Sequence, residues 1–220
     1  MDVVAKRRVY HFLKADHGIQ NIEKRRIKIS TLLGVNDPFE LLAHNVSNRS
    51  IRDALMLTRK TFDKEFGLLC FSKSSYSPVQ WAHYGDRHAG VCLGFDVDAN
   101  LLEDVCYEDK RTDDFTLSAD SESEPEWMRK FLYTKYSHWS YEDEVRAFVA
   151  LDTEDCGLYF KNFDSSISLV EVQVGFNCEL SRSRVSEALG DLSSHVEVFK
   201  VRPAFNSFKM VRNLDGSLWE

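Results

Sequence analysis

The stretch EVRAFVAL, residues 144–151, is the part of the sequence that decides the fold class. Val145, Ala147 and Val149 alternate with a second set of side chains, and this period of two predicts a strand. The stretch VEVQVGF, residues 170–176, alternates in the same way. Late strands therefore follow one another largely without helices, whereas the first part of the chain holds two strand–helix pairs. We predict an α+β fold, a single domain over residues 1–220 with a mixed or antiparallel central sheet flanked by helices.

Composition excludes several classes of protein. The chain has 220 residues, of which 43% are hydrophobic and 29% charged, values typical of a globular protein rather than of a disordered, collagen-like or coiled-coil chain. No apolar run approaches the length of a membrane span, so no membrane association is expected. The start of the chain lacks the pattern of a secretory signal, and the five cysteines form no Cys-x-x-Cys pair. We therefore expect a cytoplasmic protein with reduced thiols.

Charge is distributed unevenly along the chain. The net charge is -7, yet residues 1–30 carry eight Lys/Arg against three Asp/Glu, and residues 103–126 carry ten acids against two bases. The basic start would suit a nucleic-acid contact, but the overall acidity favours an ordinary solvated surface. The acidic stretch has few apolar residues and no period, which predicts a mobile insertion around residues 108–124 before a helix opened by Pro125.

The motif WSYEDEVR, residues 139–146, is the first candidate site. Side chains two apart on a strand share a face, so Glu142, Glu144 and Arg146 are expected to project together. Neighbouring carboxylates raise the cost of ionising one another, while an adjacent arginine favours the charged form. This arrangement suits a transition state that resembles an oxocarbenium ion. The alternative is a solvent-facing strand whose ion pairs contribute roughly 0.2–1 kcal/mol each.

The connection from Pro78 to Gly90 is the second candidate, because its aromatic and polar side chains exceed what loop solubility requires. His83, Asp86 and His88 are residue types that bind zinc or iron, although their spacing matches no strong ligand signature. A surface turn that uses these groups as hydrogen-bond partners is the alternative. The aromatic residues of the connection are more typical of a core than of a ligand platform.

Five motifs taken together resemble the bacterial family called DUF2971, over most of the chain. Their order and spacing carry the resemblance rather than any single motif. They are Val9-Tyr10-His11-Phe12, Asn36-Asp37-Pro38-Phe39-Glu40, Cys70-Phe71-Ser72, Trp81-Ala82-His83-Tyr84 with His88-Ala89-Gly90, and Trp139-x-Tyr141-Glu142-x-Glu144-x-Arg146.

That family is in turn similar to the ADP-ribosyltransferase superfamily, and this second resemblance implies a fold, an activity and a set of roles. Glu144, or Glu142 beside it, would be the late carboxylate that stabilises positive charge on the nicotinamide ribose of NAD, and the other would orient the acceptor. His11 would act with them by binding the adenosine ribose. The residues implied in NAD binding are His11, Ser72, Trp81, Tyr84, Tyr141 and Arg146, the last through a pyrophosphate or through Glu142. The chain departs from the superfamily pattern after Phe71, where Ser72-Lys73-Ser74 replaces the Ser-Thr-Ser triplet.

Three functional hypotheses follow. The first is an ADP-ribosyltransferase-like protein that uses NAD as a substrate to modify a nucleic-acid or protein acceptor, as a toxin or phage-defence effector would. The second is a non-catalytic module that holds a nucleic acid or a protein through Trp81, Tyr84, Trp139 and the basic amino terminus. The third is a metal-assisted hydrolase built on the His83–His88 segment. The sequence leaves the acceptor and the oligomeric state open.

Overall fold

A computed structural model of the protein describes residues 4–112 and 126–219. Within them the chain forms two compact units, each assembled from segments far apart in sequence. The first unit comprises Met1–Lys28, Phe71–Leu101 and Lys161–Glu220, and the second comprises Ile29–Cys70 and Leu102–Phe160.

Strands outnumber helices in the described chain. The strands are β1 (Lys6–Leu13), β2 (Arg26–Thr31), β3 (Phe66–Ser72), β4 (Val91–Asp98), β5 (Glu103–Asp104), β6 (Cys106–Glu108), β7 (Thr134–Tyr136), β8 (Glu144–Ala150), β9 (Glu154–Asp155), β10 (Leu158–Asn162), β11 (Ile167–Val174), β12 (Glu197–Pro203) and β13 (Met210–Arg212). The α-helices are α1 (Ala15–Glu23), α2 (Arg49–Phe62), α3 (Pro78–His83), α4 (Glu126–Tyr133) and α5 (Arg182–Leu189), and short 3₁₀ helices include Ser137–Glu142 and Gly216–Leu218.

The first unit is built on a sheet with the strand order β13-β12-β11-β4-β1. Its pairs are antiparallel except for the parallel pair of β11 and β12. The alternation along residues 91–97 predicts that Val91, Leu93, Phe95 and Val97 share one face of a core strand. Each of these side chains is at most 1% exposed in β4, which confirms the prediction. The predicted α+β fold with a mixed, mostly antiparallel sheet is confirmed.

The second unit surrounds a separate apolar cluster. Strand β3, whose first five residues belong to this unit, pairs with β2 and with β8, and β8 pairs with β5. Helices α2 and α4 and the connection between β2 and α2 contribute the other apolar side chains. The buried members of the cluster are Leu32, Leu41, Leu55, Leu68, Phe131 and Leu132. This unit carries the WSYEDEVR motif at the start of β8.

Apolar side chains from Ile51 to Phe66 recur at spacings of three and four, which predicts a helix over residues 50–66 closed by Gly67. Helix α2 is shorter than this prediction. It begins after Asn48, whose side chain accepts hydrogen bonds from two backbone N–H groups, and it ends at Phe62 rather than at Gly67. Phe66 and Gly67 instead begin β3. A Cβ atom at Gly67 would lie 2.7 Å from the carbonyl oxygen of Ser30, so this glycine permits close strand pairing instead of ending a helix.

The helix predicted after Pro125 is also shorter than expected. The apolar side chains Trp127, Phe131 and Tyr136 predict a helix that extends to Tyr136. Phe131 is buried in α4, but Tyr136 lies in strand β7, which pairs in parallel with β6. A partner strand about 28 residues earlier in the chain decides this conformation, and a local period cannot reveal it. Residues 113–124 of the predicted acidic insertion, together with Pro125, lie outside the described residues. Among the described residues, no helix combines the length and the apolar character needed to cross a membrane.

Candidate functional site

Five charged side chains meet in the interior of the second unit, and we call them the buried charge cluster. Three are carboxylates and two are cations, and each is at most 7% exposed. The members are Glu40, Lys135, Glu142, Glu144 and Arg146. Burial of charge on this scale is uncommon because each group loses its hydration on folding.

Arg146 is the most enclosed member of the cluster. Its Nε donates to Oε1 of Glu144 at 2.7 Å and its Nη2 to Oε2 of Glu144 at 3.0 Å, which is a bidentate pair. Its Nη1 donates to the carbonyl oxygen of Leu132 at 2.8 Å. Nη2 also lies 2.8 Å from Oε1 of Glu40, which attracts it electrostatically without a well-aligned hydrogen bond. Because Arg146 is 1% exposed and its nitrogens are engaged, it is not placed to hold a pyrophosphate, as the resemblance implied, and its bidentate partner is Glu144.

Lys135 links the three carboxylates. Its Nζ lies 2.6 Å from Oε2 of Glu142, 3.2 Å from Oε2 of Glu144 and 3.6 Å from Oε2 of Glu40. The same nitrogen lies 4.9 Å from the centroid of the Trp139 ring, within the range of a cation–π interaction. Lys135 therefore joins Glu40 to the two carboxylates of the WSYEDEVR motif.

The pKa values follow from this pairing. Burial alone raises the pKa of Glu144, but the attraction and hydrogen bonds of Arg146, with the charge of Lys135, outweigh burial and lower the pKa to about 2. Burial lowers the pKa of Lys135, yet the surrounding carboxylates, Glu144 first, raise it well above its ordinary value. Glu144 and Lys135 therefore stay ionised at neutral pH.

The local backbone explains how the motif reaches this arrangement. Glu144 and Arg146 lie two apart on β8 and share a face, as the strand pattern predicted. Glu142 is not on the strand: it ends the 3₁₀ helix Ser137–Glu142, and Asp143 then adopts the left-handed conformation with φ 45°. The expectation that all three side chains project from one strand is therefore wrong for Glu142. It joins the others because Lys135 binds it.

Two further side chains contact Glu144. The hydroxyl of Tyr107 accepts a hydrogen bond from the backbone N–H of Glu144 at 2.8 Å. The thiol of Cys70 hydrogen-bonds to its carboxylate, and burial raises the pKa of that thiol so that it stays protonated. The contacts with Tyr107 and Cys70 hold Glu144 in a fixed position.

Tyr141, another residue that the resemblance implied in NAD binding, lies in the 3₁₀ helix. Its ring lies beside that of Trp139, with 6.1 Å between ring centroids.

A pocket of about 210 Å³ borders the cluster in the same unit. Lys135 belongs to its wall, with Phe39 and Tyr136 as aromatic surfaces. Arg111 lies over the Phe39 ring at 5.0 Å from the centroid. We call this space the Lys135 pocket. Lys135 is the member of the buried charge cluster that lines this pocket, and its side chain is 3% exposed.

Acid should weaken the protein through Glu144. Its pKa in the folded state, about 2, lies below the ordinary value of 4.5, so its stabilising contribution is complete above about pH 4.5 and is lost as the pH falls toward 2. At about 1.4 kcal/mol per pKa unit, the contribution is roughly 3 kcal/mol. Urea unfolding from pH 6 to pH 3 should show a shallower pH dependence for Glu144→Gln than for the unaltered protein. Identical slopes would contradict the assignment.

In the first unit, Ser72 and Trp81 lie close together around α3. Gln80 donates from Nε2 to the hydroxyl of Ser72 at 3.0 Å, and Trp81 donates from Nε1 to the carbonyl oxygen of Ser75 at 2.7 Å. Trp81 is fully buried, as the core alternative predicted. Tyr84 follows the helix as its C-cap residue, with its ring 6.2 Å from that of His83.

His11 lies on the other face of the same strands. Tyr10 is paired with Ser72 across β1 and β3, so those two side chains share a face and the next residue, His11, points the opposite way. Its ring meets the edge of Phe71, with 6.0 Å between centroids. His11 and Ser72 therefore do not line one surface of this sheet. Both belong to the first unit, whereas the predicted carboxylates belong to the second.

The connection that ends at Gly90 is a tightly bonded turn. Asp86, Arg87 and His88 are three successive residues with positive φ, a costly conformation for side chains other than glycine. Backbone hydrogen bonds close the turn, including Gly90 to Gly85 at 2.8 Å. Among the described residues no group of His, Cys, Asp or Glu is arranged to hold a metal ion, so the metal-site hypothesis for this turn gains no support.

The binding-module hypothesis loses two of its surfaces. A fully buried Trp81 cannot stack on a base or a peptide. In the basic amino-terminal strand, Lys6 lies 2.7 Å from Asp98 and Arg8 lies 2.6 Å from Asp96, which neutralises much of the positive charge. Tyr84 and Trp139 remain half-buried.

Sequence reasoning gave no role to Glu40 or Lys135. Glu40 closes the motif Asn36-Asp37-Pro38-Phe39-Glu40, in which the carboxylate of Asp37 accepts a hydrogen bond from the N–H of Phe39 at 2.9 Å. Glu40, which follows this turn, is 1% exposed. Lys135 carries no sequence signal of its own, because the spacing of Phe131 and Tyr136 predicts a helix across it, whereas the structure has it in β7.

Comparison with known proteins gives one match. No curated protein and no solved structure matches the chain. The model of a family described as "Protein of unknown function (DUF2971)" matches residues 80–147, a range that contains the turn before Gly90, Lys135 and the WSYEDEVR motif but not His11, Ser72 or Glu40. That match supports the resemblance to this family.

Proposed function

We propose that this protein is an ADP-ribosyltransferase-like enzyme that uses NAD to modify a macromolecular acceptor. The observation that carries the proposal is the environment of Glu144, a carboxylate kept ionised by Arg146 and Lys135 at a fixed position. Positive charge develops on the ribose as its bond to nicotinamide breaks. A fixed negative charge stabilises that state more than the ground state, which is the requirement for catalysis.

The proposed reaction has two bond changes. The bond from nicotinamide to C1′ of the ribose breaks, and its electron pair leaves with nicotinamide. A nucleophilic oxygen or nitrogen of the acceptor bonds to C1′, and its proton passes to Glu142. Lys135 lies between Glu142 and Glu144, so this assignment requires that ligand binding displaces Lys135 from its two partners.

The Lys135 pocket supports this assignment by its position and its size. Its volume of about 210 Å³ is below the roughly 300–1,000 Å³ of pockets that enclose a whole drug-sized ligand. It therefore suits one ring or one sugar of NAD rather than the whole molecule. Phe39 and Tyr136 offer ring faces, and Arg111 offers a positive charge for a phosphate.

Release of nicotinamide from labelled NAD tests the proposal. We expect the unaltered protein to release nicotinamide or to label an acceptor, and Glu144→Gln to lower the rate by about a hundredfold or more, the usual effect of removing an electrostatic stabiliser. Glu40→Gln is the matched control, because Glu40 belongs to the same cluster but its carboxylate has no role in the proposed reaction. Its rate, corrected for the folded fraction, should change by only a few-fold.

Two results would contradict the proposal. Absence of turnover by the unaltered protein with NAD and a mixed pool of nucleic-acid and protein acceptors would reject the enzyme and favour the binding-module hypothesis, for which salt-dependent retention on nucleic acid is the first measurement. Equal losses in Glu144→Gln and Glu40→Gln would show that the cluster is structural and that Glu144 is not the catalytic carboxylate.

A further inference from the structure

A second pocket, in the first unit, is lined by three cationic side chains. Its volume is about 210 Å³, and it lies where the start of α5, the strands β12 and β13 and the 3₁₀ helix Gly216–Leu218 meet. The cations are Arg182, Lys200 and Arg212. We call this space the basic pocket. None of its residues belongs to the buried charge cluster.

Aromatic rings hold the two guanidinium groups of the basic pocket. Arg182 lies over the ring of Trp219 at 4.8 Å from the centroid, and Arg212 lies over Phe199 at 4.7 Å. Trp219 is itself fixed, because its Nε1 donates to the carbonyl oxygen of Leu180 at 2.7 Å. Stacking restricts each guanidinium plane before any ligand arrives, which lowers the entropy lost on binding.

The cations of the basic pocket are not fully neutralised by nearby carboxylates, which favours the binding of an anion. Arg212 forms an ion pair with Glu197, but within residues 4–112 and 126–219 neither Arg182 nor Lys200 has a carboxylate within 4.0 Å. Lys200 donates instead to the carbonyl oxygen of Cys178 at 2.8 Å. Three cations against Glu197 and Asp215 leave one excess positive charge in a protein whose net charge is -7.

The acid that lines the pocket is already engaged. Oδ1 of Asp215 accepts hydrogen bonds from the N–H of Ser217 at 3.1 Å and from its hydroxyl at 2.6 Å. These bonds lower the pKa of Asp215, which keeps it charged without pairing it to a cation. The carboxylate therefore leaves Arg182 and Lys200 available to an incoming anion.

We propose that the basic pocket binds the phosphate group of a small-molecule ligand. Two fork-shaped guanidinium groups and one ammonium group match the several oxygens of a phosphate, which forms charge-assisted hydrogen bonds with each of them. The volume equals that of about seven liquid waters at roughly 30 Å³ each, enough for one phosphate with a small substituent. The site stands independently of the proposed NAD chemistry.

Calorimetric titration with inorganic phosphate, AMP and adenosine tests this inference. We expect phosphate and AMP to bind and adenosine to give no saturable signal. Arg182→Gln and Lys200→Gln should each weaken binding about tenfold, which corresponds to about 1.4 kcal/mol. Added salt should also weaken binding, because the attraction is between charges.

Arg202→Gln is the matched control. Arg202 also stacks on an aromatic ring, at 4.1 Å from the centroid of Phe205, and it carries the same charge, but it does not line the pocket. The affinity of the Arg202→Gln variant for phosphate should stay within about twofold of that of the unaltered protein, since only screened long-range attraction is lost. Absence of binding at millimolar phosphate, equal losses in the control, or equal binding of adenosine and AMP would each overturn the inference.

Discussion

Replacing Arg146 by leucine is expected to lower the free energy of unfolding by about 3–5 kcal/mol, one of the two largest effects that the structure predicts. Glu144 would keep Lys135 as a partner but lose its bidentate one, and Glu40 would lose a cation 2.8 Å away. Both carboxylates are at most 4% exposed, so water cannot replace the guanidinium group. Urea unfolding followed by circular dichroism measures the change.

A surface arginine provides the control. Arg129 forms an ion pair with Glu103, but its side chain is 64% exposed. Arg129→Leu should therefore cost no more than about 1 kcal/mol. A loss at Arg146 as small as that at Arg129 would show that the cluster contributes little to stability.

A compound variant separates lost charge pairing from lost volume. Substituting Glu40→Met and Glu144→Leu together with Arg146→Leu removes the two carboxylates that lie beside Arg146 as well as the arginine itself. Buried ion pairs replaced by apolar groups of similar volume are often neutral or stabilising. We therefore expect this variant to regain a large part of the stability lost by Arg146→Leu alone. A compound variant less stable than the single one would show that packing, and not charge pairing, dominates.

Gly90→Ala is the other substitution with a large expected effect. An added Cβ atom would lie 2.1 Å from the carbonyl oxygen of Leu13 and 2.9 Å from that of Gly85. These neighbours are backbone atoms, and the backbone N–H of Gly175 also bonds to the carbonyl oxygen of Gly90 at 2.9 Å, so the clash cannot be relieved by rotating a side chain. We expect a loss of about 3 kcal/mol or more of unfolding free energy, at or above the upper end of ordinary overpacking costs.

Gly216→Ala is the control for that measurement. A Cβ atom at Gly216 meets nothing within 4 Å, so the substitution should change stability by no more than about 0.5 kcal/mol. Thermal unfolding of the two variants gives the comparison. Equal stabilities would show that the turn before Gly90 relaxes easily, despite its three successive residues with positive φ.

Local periodicity predicted several strands correctly and misjudged how two helices end. The buried face of β4 follows directly from alternation. The alternating pattern from Val91 to Val97 can be recognised without knowing which strands pair with β4. The end of α2 and the strand character of Tyr136 depend instead on pairing with β2 and β6. Long-range pairing supplies hydrogen bonds that a local pattern does not contain.

The candidate site also combines features that the sequence predicts with features that only the tertiary structure shows. The sequence by itself determined that Glu144 and Arg146 share a face, because strand geometry sets that relation for residues two apart. Only the tertiary structure decided that the face is buried, that Lys135 and Glu40 complete it, and that His11 points away from Ser72. Burial and charge pairing arise from segments that meet in space. A pattern along one strand therefore identifies charged partners without revealing whether water or protein surrounds them.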